Sequence, residues 1–177
     1  MRDFMAPAIA GLLIFILTLT PSLMAALNGV ERCAGRYSIG ERLLAQCLSA
    51  FCIGIVLSAT IMLVLGAFGI RMVGDLSVSI ILLSSLAMAS AALGQLIACF
   101  AGGHREAMMV VFPLILYPAI LLSGIVLPLT SIPDYLLPIS YLFPLTYSIE
   151  GVRLSMLNGF GWDVCWVQAA ALFVYTM

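Results

Sequence analysis

The chain has 177 residues, of which 64% are hydrophobic and only 8% are charged, and its formal net charge is −1. A soluble domain carries about 25% charged residues, so this composition is that of an integral membrane protein. The cations are seven arginines without any lysine, against eight acids. This balance excludes the basic surface with which a protein binds nucleic acid.

Long intervals without charged residues predict membrane-spanning helices, because a span needs about 20 apolar residues. The predicted full spans are residues 4–30, 43–70, 76–103 and 107–127. A fifth apolar segment, 163–177, is shorter than the roughly 17 residues that a crossing requires. We therefore expect an all-α, polytopic helix bundle with four full spans and a truncated fifth, and we expect the chain to be a fragment of a longer protein.

The arginines predict the orientation of the bundle. Three of them lie in the loop 31–42 and one in the loop 103–106, against a single arginine in the loop 71–75. Positive residues are enriched on the cytoplasmic side of membrane proteins. We expect the first two loops to be cytoplasmic, in a plasma or inner membrane, and the third to lie outside.

Small residues four apart let helices approach closely in lipid. The second span carries one such stripe, Ala50, Gly54 and Ser58, and the third carries Ala87, Ala91 and Gln95 with Ser90 and Gly94 beside them. Both spans are predicted to be tightly packed interior helices. Pro21 is expected to kink the first span, and Pro113 with Pro118 the fourth, which leaves carbonyl groups for neighbouring residues to satisfy.

Two amides, Asn28 and Gln95, lie in or near the spans. Either could line a substrate path, or could be hydrogen-bonded by a neighbouring helix. The four spans contain no ionisable residue, and the sequence has no hydrolase, zinc-protease or phosphate-loop motif. His104 stands alone in a short loop, and the cysteines form no metal-binding pattern. An enzyme acting through this chain alone, and a metal site within it, are therefore disfavoured.

Prolines recur between the fourth and fifth apolar segments, at positions 128, 133, 138 and 144. No straight helix survives that spacing, because each proline removes an amide donor and clashes with the preceding turn. We expect only short helices here, at the outer interface, where Tyr135, Tyr141 and Tyr147 suit the headgroup level. An ordinary extracellular loop is the alternative.

The stretch "LLSGIVLPLTSIPDYLLPISYLFPLTYSIEGVR" resembles the C-terminal part of the permease domains of type-2 ATP-binding cassette (ABC) transporters. It shares a Ser-Gly turn, two spaced prolines, a short helix, a Pro-Leu-Thr-Tyr step and a Glu-x-x-Arg end. The stretch "ERCAGRYSIGERLLAQ" is similar to the cytoplasmic segment of that family. Here Cys33 replaces a usually acidic residue and Arg36 a usual threonine.

The resemblance implies a single permease domain over residues 1–177, comprising the second to sixth spans of a six-span domain. Residues 128–149 would form a re-entrant helical hairpin that caps the exit of the transport path. The residues of this cap would be Gly124, Pro128, Pro133, Pro144, Glu150 and Arg153. Residues that couple the chain to an ATPase would be Glu31, Arg32, Gly35 and Arg36.

The sequence therefore predicts the permease part of an ATP-driven exporter for a hydrophobic or amphipathic substrate. The chain needs no cofactor of its own, since ATP would bind a nucleotide-binding domain, fused or separate. A second permease domain and membrane lipid are the other expected partners. The alternatives are a channel or structural membrane subunit without ATP coupling, or an enzyme completed by residues outside the chain.

Overall fold

Apolar helix-forming segments dominate the sequence, and helices dominate the structure. The structure, a computed structural model, describes residues 2–32, 39–69, 74–100, 105–124, 136–159 and 162–176. Within these ranges the chain forms helices and turns and no strand, so the all-α prediction is confirmed. The helices are α1 (Arg2–Arg32), α2 (Ile39–Ala67), α3 (Leu76–Phe100), α4 (Arg105–Leu122), α5 (Leu137–Ser140), α6 (Pro144–Asn158) and α7 (Trp162–Thr176).

Among the described residues, three helical segments are long and apolar enough to cross a membrane: Met5–Ala26, Leu44–Ala67 and Leu76–Phe100. They coincide with the first three predicted spans. Two shorter apolar segments, Pro113–Leu122 and Val164–Thr176, belong to α4 and α7. The predicted total of four full spans and a truncated fifth stays a prediction.

Helix α3 is the centre of the bundle, and it contacts α1, α2, α6 and α7. Its small residues face neighbours on several sides. A Cβ atom on Gly94 would lie 3.2 Å from the Leu19 carbonyl oxygen of α1. On another side, a Cβ on Gly54 of α2 would lie 2.6 Å from the Ala87 Cβ. These glycines allow the close helix contacts that replace a hydrophobic driving force in lipid.

The prediction of two interior helices is right for α3 and wrong for α2. In α3, 56% of the apolar span is buried inside the protein, whereas in α2 only 22% of the span is buried. The predicted stripe of α2, Ala50, Gly54 and Ser58, is buried. The remainder of the helix exposes large side chains such as Leu63 and Leu48, because no other described helix covers that side.

Helix α6 runs antiparallel to the first half of α3. Ser79 Oγ donates to Ser155 Oγ at 3.4 Å, and a Cβ on Gly151 would lie 3.0 Å from Leu82 Cδ1. The C-terminal part of α6 lies against the residues that precede α3. A Cβ on Gly74 would lie only 2.0 Å from the Ser155 carbonyl oxygen. Helix α6 therefore extends from the middle of α3 to its N-terminal end.

Prolines do not interrupt the first span, since α1 is helical through both Pro7 and Pro21. Proline lacks an amide hydrogen, so the Leu17 carbonyl does not receive its ordinary helical donor at Pro21. The hydroxyl groups of Thr18 and Thr20 donate back to Ile14 and Ile16 carbonyl oxygens at 2.7 and 2.8 Å. Hydroxyl groups near a helix proline thus bond to the same helix, as they commonly do in membranes.

Candidate functional site

Four polar side chains meet where α1, α2 and α3 cross. Gln46 Nε2 donates to the Ser22 carbonyl oxygen at 2.8 Å and to Ser22 Oγ at 2.7 Å. Ser22 Oγ in turn donates to the Ala91 carbonyl oxygen at 2.7 Å. Thr18 Oγ1 and Ser90 Oγ share a further hydrogen bond. This cluster joins all three helices through uncharged groups, which hold membrane helices together at modest energy.

Gln46 and Ser22 were missed by the sequence interpretation, which considered only Asn28 and Gln95 as amides. A signal for Gln46 existed, since it is an amide inside the uncharged segment 43–70. Ser22 gives no such signal, because hydroxyl residues are common in membrane helices. Its importance follows from its position opposite both Gln46 and Ala91.

Gln95 is 8% exposed, and its Nε2 atom has no hydrogen-bond partner in the part of the chain that the structure describes. It lies one helical turn after Ala91 on α3, close to the cluster. Asn28 belongs to the last turns of α1, but its side chain lies outside the described residues. For both amides the choice between substrate path and packing stays a prediction.

The predicted coupling residues lie at the junction of α1 and α2. Glu31 and Arg32 are the last two residues of α1, but their side chains are not among those that the structure describes. Gly35 and Arg36 fall in the segment 33–38, which also lies outside it. In the sequence, the predicted coupling segment therefore lies between α1 and α2, and its role stays a prediction.

The predicted cap contains contacts that connect the end of α4 with α5 and α6. Ser140 Oγ of α5 donates to the Leu122 carbonyl oxygen, and Thr146 Oγ1 of α6 donates to the Ser140 carbonyl oxygen at 2.7 Å. Arg153 Nη2 donates to the Gly124 carbonyl oxygen at 3.3 Å. These bonds fix α5 and α6 to the end of α4. Ser140 and Thr146 were not predicted, because their hydrogen bonds depend on how α5 and α6 pack against the end of α4.

Glycine and proline suit their positions in this segment. Gly124 has φ 82°, a left-handed conformation that favours glycine after a helix end. Pro144 is the first residue of α6, where its missing amide hydrogen costs nothing. Tyr141 and Tyr147 place their ring centroids 5.7 Å apart. Pro128 and Pro133 lie outside the described residues.

Glu150 and Arg153 are partly buried on the same helix and interact electrostatically. Burial raises the pKa of the Glu150 carboxyl, and the positive charge of Arg153 opposes that shift. Arg153 also reaches across to Gly124, 29 residues earlier in the chain. The structure therefore assigns Arg153 a tertiary contact in addition to the predicted pairing with Glu150, and that pairing stays a prediction.

The fold and these contacts define an all-helical integral membrane protein whose helices are joined by uncharged polar groups. The profile of the ABC-2 type transporter family matches residues 4–157. The chain belongs to this family, as its sequence predicted, and it is a permease component rather than the catalytic part of a transporter.

One curated relative is Nodulation protein J of Sinorhizobium fredii, which is 26% identical over 140 residues. The matched region is 79% of this chain and 53% of that protein. The chain therefore spans about half the length of the curated relative it matches. No solved structure matches the chain significantly.

Proposed function

We propose that the chain is the permease domain of an ATP-driven exporter that moves a hydrophobic or amphipathic substrate. The observation that carries this proposal is the family match, which extends over residues 4–157 and so includes both the α1–α2 junction and the predicted cap. ATP binds a nucleotide-binding domain or subunit, which acts together with this chain and a second permease domain. The distribution of arginines among the loops supports a plasma or inner membrane with the α1–α2 junction in the cytoplasm.

The α1–α2 junction is the proposed contact with the ATPase. Glu31 and Arg32 end α1, and α2 begins seven residues after Arg32. Farther into the bundle, Gln46 connects α2 to Ser22 of α1. A displacement of the junction therefore acts on both helices together.

The segment from Gly124 through α6 is the proposed outer cap. Helix α6 pairs with only the first half of α3 and ends beside Gly74, which the predicted orientation places outside. It therefore forms the returning arm of a re-entrant structure, and it extends beyond the predicted limit of residue 149. Irregular backbone at membrane depth is tolerated where protein surrounds it, and the polar contacts of Ser140, Thr146 and Arg153 supply that environment.

Co-purification tests this function. The chain, expressed in its native membrane and extracted in mild detergent, should carry an associated ATPase. The double variant Glu31→Ala with Arg32→Ala should lower the associated ATPase activity at least about tenfold, the loss expected for about 1.4 kcal/mol of interaction energy. The matched control is Arg105→Ala with Glu106→Ala, which removes the same two charges from the other predicted cytoplasmic loop and should retain the ATPase.

Equal ATPase activity in both double variants would contradict the coupling assignment of Glu31 and Arg32. A preparation that contains no ATPase at all would contradict the exporter and favour a channel or structural subunit. The expression level and gel-filtration profile of each variant establish that the protein is inserted and folded.

A further inference from the structure

A pocket of about 180 Å³ opens between α1 and α2 beside Pro21. Thr18 and Ser22 line it, and both are buried. Leu17 and Ile53 also line it but are 50% and 52% exposed, so they belong to its mouth. The pocket therefore opens from the polar cluster toward the surface that faces lipid.

The volume limits what the pocket can hold. A cavity of about 150 Å³ in a protein interior accommodates benzene, so this pocket admits one six-membered ring or a group of similar size. A complete lipid is far larger. Only a headgroup can enter, and an attached chain remains outside between Leu17 and Ile53.

The polar groups of the pocket have already used their hydrogens within the protein. The hydroxyl groups of Thr18, Ser22 and Ser49 each donate to a backbone carbonyl oxygen, at 2.7 to 2.9 Å. Gln46 Nε2 donates both of its bonds to Ser22. The capacity that remains is on the oxygen atoms, whose lone pairs accept hydrogen bonds.

The backbone adds one more acceptor. Leu17 and Pro21 both line the pocket, and they are four residues apart on α1. Since proline has no amide hydrogen, the Leu17 carbonyl oxygen lacks its ordinary helical donor. A ligand that donates a hydrogen bond would supply the partner that the helix cannot.

No charged residue is among those that line the pocket. A phosphate or carboxylate would find neither a cation nor an available donor, and an ammonium group would find no carboxylate. Burying such a charge without a partner is costly. Hydroxyl groups on an uncharged molecule are the donors that fit these acceptors.

We infer that this pocket binds the uncharged, hydroxyl-bearing headgroup of an amphiphile whose apolar chain stays in the lipid. Ser22 and Gln46 lie in the half of the bundle nearer to the α1–α2 junction, so the amphiphile enters from the predicted cytoplasmic leaflet. That this amphiphile is also the exported substrate rests on the proposed function. Binding itself requires neither ATP nor a partner.

Photolabelling tests the pocket directly. The full chain is placed in phosphatidylcholine nanodiscs, free of sugar detergents, and exposed to octyl glucoside with a photoreactive group in its chain. The comparison probe carries the same chain with a phosphocholine headgroup. We expect saturable labelling by the glucoside, with a dissociation constant at least about tenfold lower than that of the comparison probe.

Two variants locate the binding. Ala25→Leu fills the pocket from a lining residue, and it should abolish saturable labelling by the glucoside. Ala59→Leu makes the same change at an exposed position of α2 outside the pocket, and should label as the unmodified chain does. Gln46→Met removes an acceptor oxygen with little change of volume and should weaken binding severalfold.

Equal labelling by both probes, or unchanged labelling in Ala25→Leu, would overturn the inference. Gel filtration shows whether each variant is folded. If Ala25→Leu does not fold, the glucoside binding of Gln46→Met tests the pocket instead. Because this assay contains no ATPase, loss of headgroup binding leaves the exporter proposal intact. Absence of an associated ATPase, in turn, leaves the binding result intact.

Discussion

Helices α2 and α3 are almost equally apolar, with mean hydropathies of 2.5 and 2.1, yet they occupy different places in the bundle. Helix α3 packs extensively against α1, α2, α6 and α7 and also contacts α4, whereas α2 packs extensively only against α1 and α3. The difference follows from the distribution of small residues. The buried small residues of α3 lie on several sides of the helix, while the buried small residues of α2 form one stripe. Hydropathy therefore identifies a span, and the arrangement of small residues determines how many neighbours it has.

The largest expected effect separates a leucine of α3 from a leucine of α2. Leu82 is fully buried and Leu63 is 74% exposed. Leu82→Ala should lower the free energy of unfolding by about 2–5 kcal/mol, because it leaves a cavity at the centre of the bundle. Leu63→Ala should leave it nearly unchanged. Thermal unfolding of the two variants in the same detergent measures the difference, and equal loss would show that α2 is buried in the protein.

A second comparison tests the single stripe by which α2 packs. A Cβ on Gly54 would lie 2.6 Å from the Ala87 Cβ, whereas one on Gly66 would meet nothing within 4 Å. Gly54→Ala should cost about 1–3 kcal/mol through overpacking, and Gly66→Ala should not destabilise the protein. Unfolding midpoints in denaturant compare the two variants. A stable Gly54→Ala variant would contradict the close contact between α2 and α3.

The smallest of these effects concerns the hydrogen bonds between α2 and α1. Gln46→Met should cost about 0.6–1.7 kcal/mol, the range of interhelical hydrogen bonds in membranes. Thr60→Val is the control, because the hydroxyl group of Thr60 is exposed and bonds only within α2, to the Val56 carbonyl oxygen at 2.8 Å. Thermal unfolding of both variants provides the measurement. Equal stability of the two would mean that Gln46 does not hold α2 to α1.

The sequence was sufficient to predict the helical fold and the family, because both depend on local patterns. Apolar length identified the first three spans, and four-residue spacing identified Gly54 and Ala87 as contact residues. The exposed side of α2 was not predictable, since burial depends on which neighbours surround a helix. The sequence pattern of α2 does not show which of its sides lack a neighbouring helix.

The polar contacts were predictable only where sequence neighbours make them. Spacing on one helix suggested Glu150 with Arg153, but Arg153 also donates to Gly124, far earlier in the chain. That contact requires α6 to return beside the end of α4. Similarly, the partner of Ser22 is set by the crossing of α1 and α2, which the sequence of neither helix specifies.

The side of the membrane on which α6 ends tests the proposed re-entrant cap most directly. With all five native cysteines replaced by alanine, single variants Gly40→Cys, Asp75→Cys and Trp162→Cys are treated with an impermeant maleimide on intact cells. We expect labelling of the Asp75 and Trp162 positions from outside, and of the Gly40 position only after permeabilisation. Labelling of the Trp162 position together with Gly40 would mean that α6 crosses the membrane, and would contradict the proposed re-entrant cap.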